Sequence, residues 1–194
     1  MRGRRGLLRY LEEFGKYVAI AGFKDVKVAD VEGFLETVRK CLTKNVEAQF
    51  FDAEFVATWQ HLYFAVLNAL NAFKNGVNIS KNLAVEVLLY ASAQRQIRKA
   101  MSLLGVKPNC EAIAVLVLGE RAEDVEAALQ AISKIVGGRR DDAVLELSRE
   151  KIEAIRKAFE ISNVELEAVV RENDLEQALV NLVIERVALL ATER

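Results

Sequence analysis

Apolar positions along the chain fall into short compact runs that alternate with stretches of helical spacing. Tyr17–Phe23, with Gly22 near its end, and Val46–Phe51 are compact runs and are expected as strands. Ala112–Leu118 reads AIAVLVL without a polar interruption and is closed by Gly119. A strand buried on both faces has that composition. Ala143–Leu147 is expected as a further short strand.

Helical spacing fills the intervals. Val31–Leu42 places Val31, Phe34, Leu35 and Val38 on one side. Ala53–Phe73 is expected as one long helix with Phe55, Trp59, Leu62, Val66 and Phe73 on its apolar face, ended by Asn75–Gly76. Further helices are expected over Asn82–Ala91, then up to Leu104, over Ala122–Val136, Lys151–Phe159 and Val164–Val170. The last begins at Asp174, which stands three residues before Gln177 as an N-cap stands before its reciprocal partner. The expected fold is α/β: one domain over residues 1–194, with a mixed sheet of about four or five strands packed with helices. A basic segment (1–12) opens it and a long helix (174–194) closes it.

Composition narrows the function. Of 194 residues, 52% are hydrophobic, enough for a core without disulfide staples. Cys41 and Cys110 stand far apart with no motif around them and are expected as buried small apolar residues. No run approaches the ~20 apolar residues of a membrane span, and no signal peptide is recognisable, so a cytoplasmic protein with no membrane partner is expected. Net charge is −1, which argues against diffuse nucleic-acid binding but leaves room for a local basic site. With one histidine, no glycine-rich phosphate loop and Asp141–Asp142 read as a turn, neither catalysis, a metal nor a cofactor is expected.

Four features ask for a partner. Ser92 is expected to cap a helix in which Ile97, Ala100, Met101 and Leu104 face the core, leaving Arg95, Arg98, Lys99 and Ser102 outside. A helix start beside arginines is an anion site, and Gln94 and Gln96 can read base or ribose edges. On the long helix Glu54, Thr58, His61, Ala65, Asn68 and Ala72 share a small or polar face that admits either a neighbouring helix or a ligand. The C-terminal helix carries two apolar stripes, Leu175, Leu179, Leu182, Leu189 and Val180, Val183, Ile184, Val187, Ala191, beside a polar wedge of Gln177, Asn181, Glu185 and Thr192. A surplus stripe is satisfied by deep burial or by a protein partner, and the partner is the expectation here. Arg2, Arg4, Arg5 and Arg9 form a basic N-terminal run that could also meet phosphate.

Four stretches carry a family resemblance: Val56-Ala57-Thr58 with His61, Ala65 and Ala69; Glu86-Val87-Leu88 leading into Ala91-Ser92-Ala93-Gln94-Arg95-Gln96-Ile97; Gly137-Gly138 with Asp141-Asp142 and Val144-Leu145-Glu146; and Ile184-Glu185-Arg186-Val187-Ala188-Leu189. They resemble the small accessory subunit of the KEOPS/EKC complex, the TPRKB-like kinase-binding family, in its archaeal type. Archaeal members often carry glycine at the position of Ala93. The resemblance implies a non-catalytic subunit that binds the kinase/ATPase subunit and recruits tRNA through its 3′ CCA end for threonylcarbamoyl-adenosine modification. The catalytic threonylcarbamoyl-transferase subunit is then an indirect partner. It implies Ser92, Gln94, Arg95, Gln96, Arg98, Lys99 and His61 as the tRNA-binding set. Val180, Val183, Ile184, Val187 and Ala191 become the kinase-binding set. The residues also leave open a self-associating α/β scaffold without nucleic-acid binding.

Overall fold

A computed structural model describes residues 7–171 and 174–192. The elements in chain order are β1 (Leu7–Leu11), β2 (Lys16–Lys24), α1 (Val31–Cys41), β3 (Val46–Asp52), α2 (Trp59–Lys74), α3 (Leu83–Ala91) and α4 (Ile97–Leu104). They continue with β4 (Ala112–Gly119), α5 (Ala122–Ile135), β5 (Arg139–Arg140), α6 (Arg149–Ala158), α7 (Asn163–Val169) and α8 (Leu175–Leu189). The chain divides into two compact units, each drawn from two stretches: residues 1–53 with 106–145, and 54–105 with 146–194.

The first unit holds the sheet, in the order β1-β2-β4-β3, with β5 also paired to β2. Every pairing is antiparallel, so the sheet is not mixed as expected. Apolar β4 lies between β2 and β3, with Ile20 opposite Leu116 and Phe50 opposite Val115. Ile113 to Val117 are fully buried, which fits a strand covered on both faces. Phe23, Phe34, Val38, Phe50, Val125 and Ile132 join one core cluster, to which α1 and α5 contribute their apolar faces. β1 arises from the segment expected as a basic tail. Arg2, Arg4 and Arg5 lie outside the described residues, whereas exposed Arg9 is part of this strand.

The expected strand at Ala143–Leu147 is instead a 3-10 turn over Asp142–Leu145. Its side chains and backbone close over Gly22. Asp142 Oδ1 accepts from the Gly22 N–H at 2.9 Å, and Asp141 N–H donates to the Gly22 carbonyl at 2.9 Å. A Cβ at position 22 would stand 2.4 Å from a Val144 methyl and 2.7 Å from the Asp141 carbonyl, so only glycine fits. Asp141 and Asp142 are thus structural, Asp141 pairing with Lys24 Nζ at 2.5 Å. Cys110 is buried as expected, but Cys41 is exposed.

The second unit is helical. Leu62, Val87, Leu104, Ile155, Leu179 and Val183 are among its buried apolar residues. The long helix expected from Ala53 is interrupted: a 3-10 turn at Ala53–Phe55 is followed by extended Thr58, and α2 begins at Trp59. Glu54 and Thr58 therefore do not share a helical face with His61. The small residues Ala65, Ala69 and Ala72 are buried where α2 packs on α3 and α8, so close helix approach is their role. No helix among the described residues is long and apolar enough to cross a membrane.

Candidate functional site

The segment that the sequence marks as chemically unusual is the turn from α3 into α4. Asn82 starts α3 by accepting the Val85 N–H at 2.9 Å. At the other end the chain folds back on itself. Ser92 N–H donates to Leu88 O, Ala93 N–H to Tyr90 O and Gln94 N–H to Leu89 O, each at 3.0 Å. That pair of crossed bonds from residues 93 and 94 is a Schellman motif. It places Ala93 at φ +50°, a left-handed conformation that favours glycine.

Ser92 is therefore the C-cap of α3, not the N-cap of the next helix. Its hydroxyl donates back to the Leu88 carbonyl at 2.8 Å, and the residue is fully buried. His61 is fully buried as well. Its Nδ1 accepts the Ala57 N–H at 3.3 Å, which fixes the proton on Nε2, and Nε2 donates to the Ala91 carbonyl at 2.7 Å. The Phe159 ring meets the imidazole edge-on, with centroids 5.5 Å apart. Burial lowers the His61 pKa to about 4, against the opposing pull of the Ala91 carbonyl, so the ring is neutral at physiological pH. Ser92 and His61 belong to the site as supports of the turn; neither presents a surface to a ligand.

What the turn presents is Arg95, Gln96, Ile97, Arg98 and Lys99, five exposed residues in a row after half-buried Gln94. Gln96 is the N-cap of α4 and makes no side-chain capping bond. The first intrahelical bond runs from Ala100 N–H to Gln96 O, so the N–H groups of Ile97, Arg98 and Lys99 have no acceptor within the helix. The helix start is thus basic, as the sequence suggested, but it lies four residues beyond Ser92 and lacks the side-chain cap expected of that serine. The core contact is narrower than expected. Ala100 and Leu104 are buried, whereas Ile97 is 49% and Met101 38% exposed. Two apolar side chains therefore stand among the cations.

α8 departs further from expectation. Val180, Val183 and Val187 of the surplus stripe are buried inside the chain, where α8 packs on α2, α3, α6 and α7. Ile184 is half-buried and Ala191 exposed. The polar wedge is as expected: Gln177, Asn181, Glu185 and Thr192 all face outward. Asp174 caps the helix through the Gln177 N–H at 2.9 Å, while the Gln177 side chain turns to Asn181 rather than back to the cap. Sequence reasoning also missed two anchors. Buried Glu86 accepts the N–H groups of Ile79 at 3.0 Å and Ser80 at 2.6 Å. Glu165 closes a capping box with Ser162 and pairs with Arg186. The Ser162 N–H, the Arg186 guanidinium and the Ser162 hydroxyl together hold its pKa down to about 2.

No group of three or more histidine, cysteine or acidic side chains able to hold a metal occurs among the described residues. A sheet unit and a helical unit define a protein of the α/β class, with an exposed cationic turn on the helical unit. The sequence profile of the family described as "Kinase binding protein CGI-121" matches residues 23–191, and the chain belongs to that family. A relative from Methanocaldococcus jannaschii, named "Regulatory protein Cgi121", is 34% identical over 117 residues, covering 60% of this chain and 72% of that protein. The resemblance drawn from the four sequence stretches thus points to the right family. A kinase-binding family with a regulatory relative agrees with the expectation of a chain that is not itself an enzyme.

Proposed function

We propose that this chain is a regulatory subunit that docks on the kinase/ATPase subunit of the KEOPS complex and holds the single-stranded 3′ CCA end of tRNA, serving the threonylcarbamoyl-transferase subunit indirectly. The kinase partner is supported by the family description. The RNA role is carried by one observation: the exposed run Arg95 to Lys99, after half-buried Gln94, at an uncapped helix start. Arg95, Arg98 and Lys99 offer cations to phosphates, and the N–H groups of the first turn point the same way. Gln94 and Gln96 offer amides to base edges, and Ile97 a flat apolar surface on which an unstacked base can rest.

Three cations are few, so binding is modest and only mildly salt-dependent. A tRNA gel shift tests the proposal. Arg95→Glu abolishes the shift and leaves kinase co-purification intact; trimming CCA from the tRNA does the same from the other side. A trimmed tRNA that binds as tightly as the intact one returns the segment to an ordinary solvated helix face.

With Val180, Val183 and Val187 buried, docking of the kinase on α8 falls to its outer edge. Ile184, Ala188 and Ala191 recur at i, i+4 and i+7, the spacing by which one helix face seats in a partner's groove. This smaller patch replaces the five-residue stripe read from the sequence.

A further inference from the structure

β1 ends the sheet at the side opposite β3, and among the described strands it pairs only with β2. Its second edge meets no strand there, and an open edge is a template for another chain unless something blunts it. The two outer strands are built differently. On β3, Glu47, Ala48 and Gln49 are half-buried, whereas on β1 Leu8, Arg9 and Tyr10 are three exposed residues in a row. Leu8 stands opposite Ala19 and Tyr10 opposite Tyr17, so both side chains lie on the face of the sheet that carries the core cluster. They continue that face outward past its covered part, at 37% and 51% exposure, with the Tyr10 and Tyr17 rings 4.7 Å apart.

Charge decides what fits this edge. Arg2, Arg4 and Arg5 precede β1, and exposed Glu12 and Glu13 follow it in the 3-10 turn that leads through Gly15 into β2. The order along the chain is basic, apolar, acidic. Laid antiparallel against itself, that order sets the arginines of each copy beside the carboxylates of the other, whereas a parallel arrangement sets like against like. Face matching fixes the register, because opposite residues of an antiparallel pair project on the same side of the sheet. With Arg9 opposite Arg9 of a second copy, Leu8 of each copy meets Tyr10 of the other, an apolar–aromatic pair repeated twice. The facing arginines are the one contact that opposes the arrangement, and they keep the association weak.

We propose that β1 is the seam of a two-fold homodimer, in which the path β3-β4-β2-β1 of one copy runs on into β1-β2-β4-β3 of a second. The interface is isologous, so one patch serves both copies. β1 has five residues. A seam of two such strands falls short of the ~1,200 Å² of a stable interface, so the chain is monomeric when dilute and pairs with a dissociation constant on the order of 0.1 mM. The charge pairs across the seam are open to solvent, and added salt weakens the dimer.

Sedimentation of the full chain across a concentration series, at low and high salt, reads the association. A chain carrying Arg4→Glu and Arg5→Glu dimerises about tenfold more weakly than the unmodified chain, and so does one carrying Glu12→Arg and Glu13→Arg. Mixed in equal amounts, the two reversed chains pair with each other as the unmodified chain pairs with itself, since each then meets opposite charge at both ends of the seam. Amide hydrogen exchange over residues 7–11 slows as the concentration of unmodified chain rises, which places the contact on β1. An unmodified chain that stays monomeric at roughly 1 mM overturns the proposal. So does a dimer that neither charge reversal weakens, and so does one that forms without slowing exchange over residues 7–11.

Discussion

The Nε2 of His61 donates to the carbonyl of Ala91, one residue before the turn that leads into α4. The ring is fully buried and its pKa is lowered to about 4, whereas an unfolded chain titrates its histidine near 6.5. Between those values the unfolded state takes up a proton that the folded state refuses. This contribution to stability is fully present above pH 6.5, falls with pH, and stops falling below about 4. The loss over that window is about 3 kcal/mol. Urea unfolding at pH 7.5, 5.5 and 4.5 measures it, and His61→Gln removes most of the slope. Glu165 acts in a lower window, losing its contribution between its usual 4.5 and about 2, so the two separate on the pH axis.

Ala93→Gly stabilises the chain. A left-handed alanine costs about 1–2 kcal/mol, and glycine returns about 0.4–1 kcal/mol as unfolded-state entropy. The net gain is about 0.5–1 kcal/mol, read as a rise in the urea midpoint at unchanged m-value. Ala93→Val runs the other way, because a branched Cβ tolerates φ +50° worse still. A midpoint unchanged in both variants would show that the turn does not hold this conformation in solution.

Glu86→Ala destabilises by about 2–4 kcal/mol, since it strands the buried N–H groups of Ile79 and Ser80 and opens a small void. Glu86→Gln loses less, because one amide oxygen still accepts. Thermal unfolding ranks the three proteins, with the glutamine variant between the other two.

Ala188→Arg blocks co-purification with the kinase subunit and leaves the urea midpoint within about 0.5 kcal/mol of the parent. Ala188 is exposed, so the added guanidinium meets no core; any effect is on a partner. Arg95→Glu in parallel leaves the kinase contact intact. Normal co-purification of the Ala188→Arg protein moves the docking site off α8.

Much of the fold is readable from pattern alone. The unbroken apolar run of β4 announces a central strand, and the spacing in α1 and α5 announces helices that cover it. Long-range closure is less visible. Leu7–Leu11 becomes a strand because β2 offers it an edge, and no local signal in a segment rich in arginine says so. Val144 looks like a strand residue because it is β-branched and flanked by apolar neighbours, yet its methyl is committed to the bare face of Gly22. The basic turn is legible by residue type but not by geometry. A glycine at position 93 would have marked the end of α3; alanine hides it, and Ser92 then looks like the start of something. On α8 the wheel shows two apolar stripes correctly, but how many neighbours wait for them depends on helices distant in sequence.

The seating of α8 bears on the order in which an assembly is put together. With Val180, Val183 and Val187 buried within the chain, α8 does not depend on a partner to cover that stripe, while Leu175 and Leu189 stay exposed. If the kinase docks as proposed, such a chain can fold before it meets its partner, wait unbound and be released without unfolding. On that proposal its association depends on concentration and on a small outer patch of α8, as expected of an exchangeable component rather than of a permanent half of a dimer.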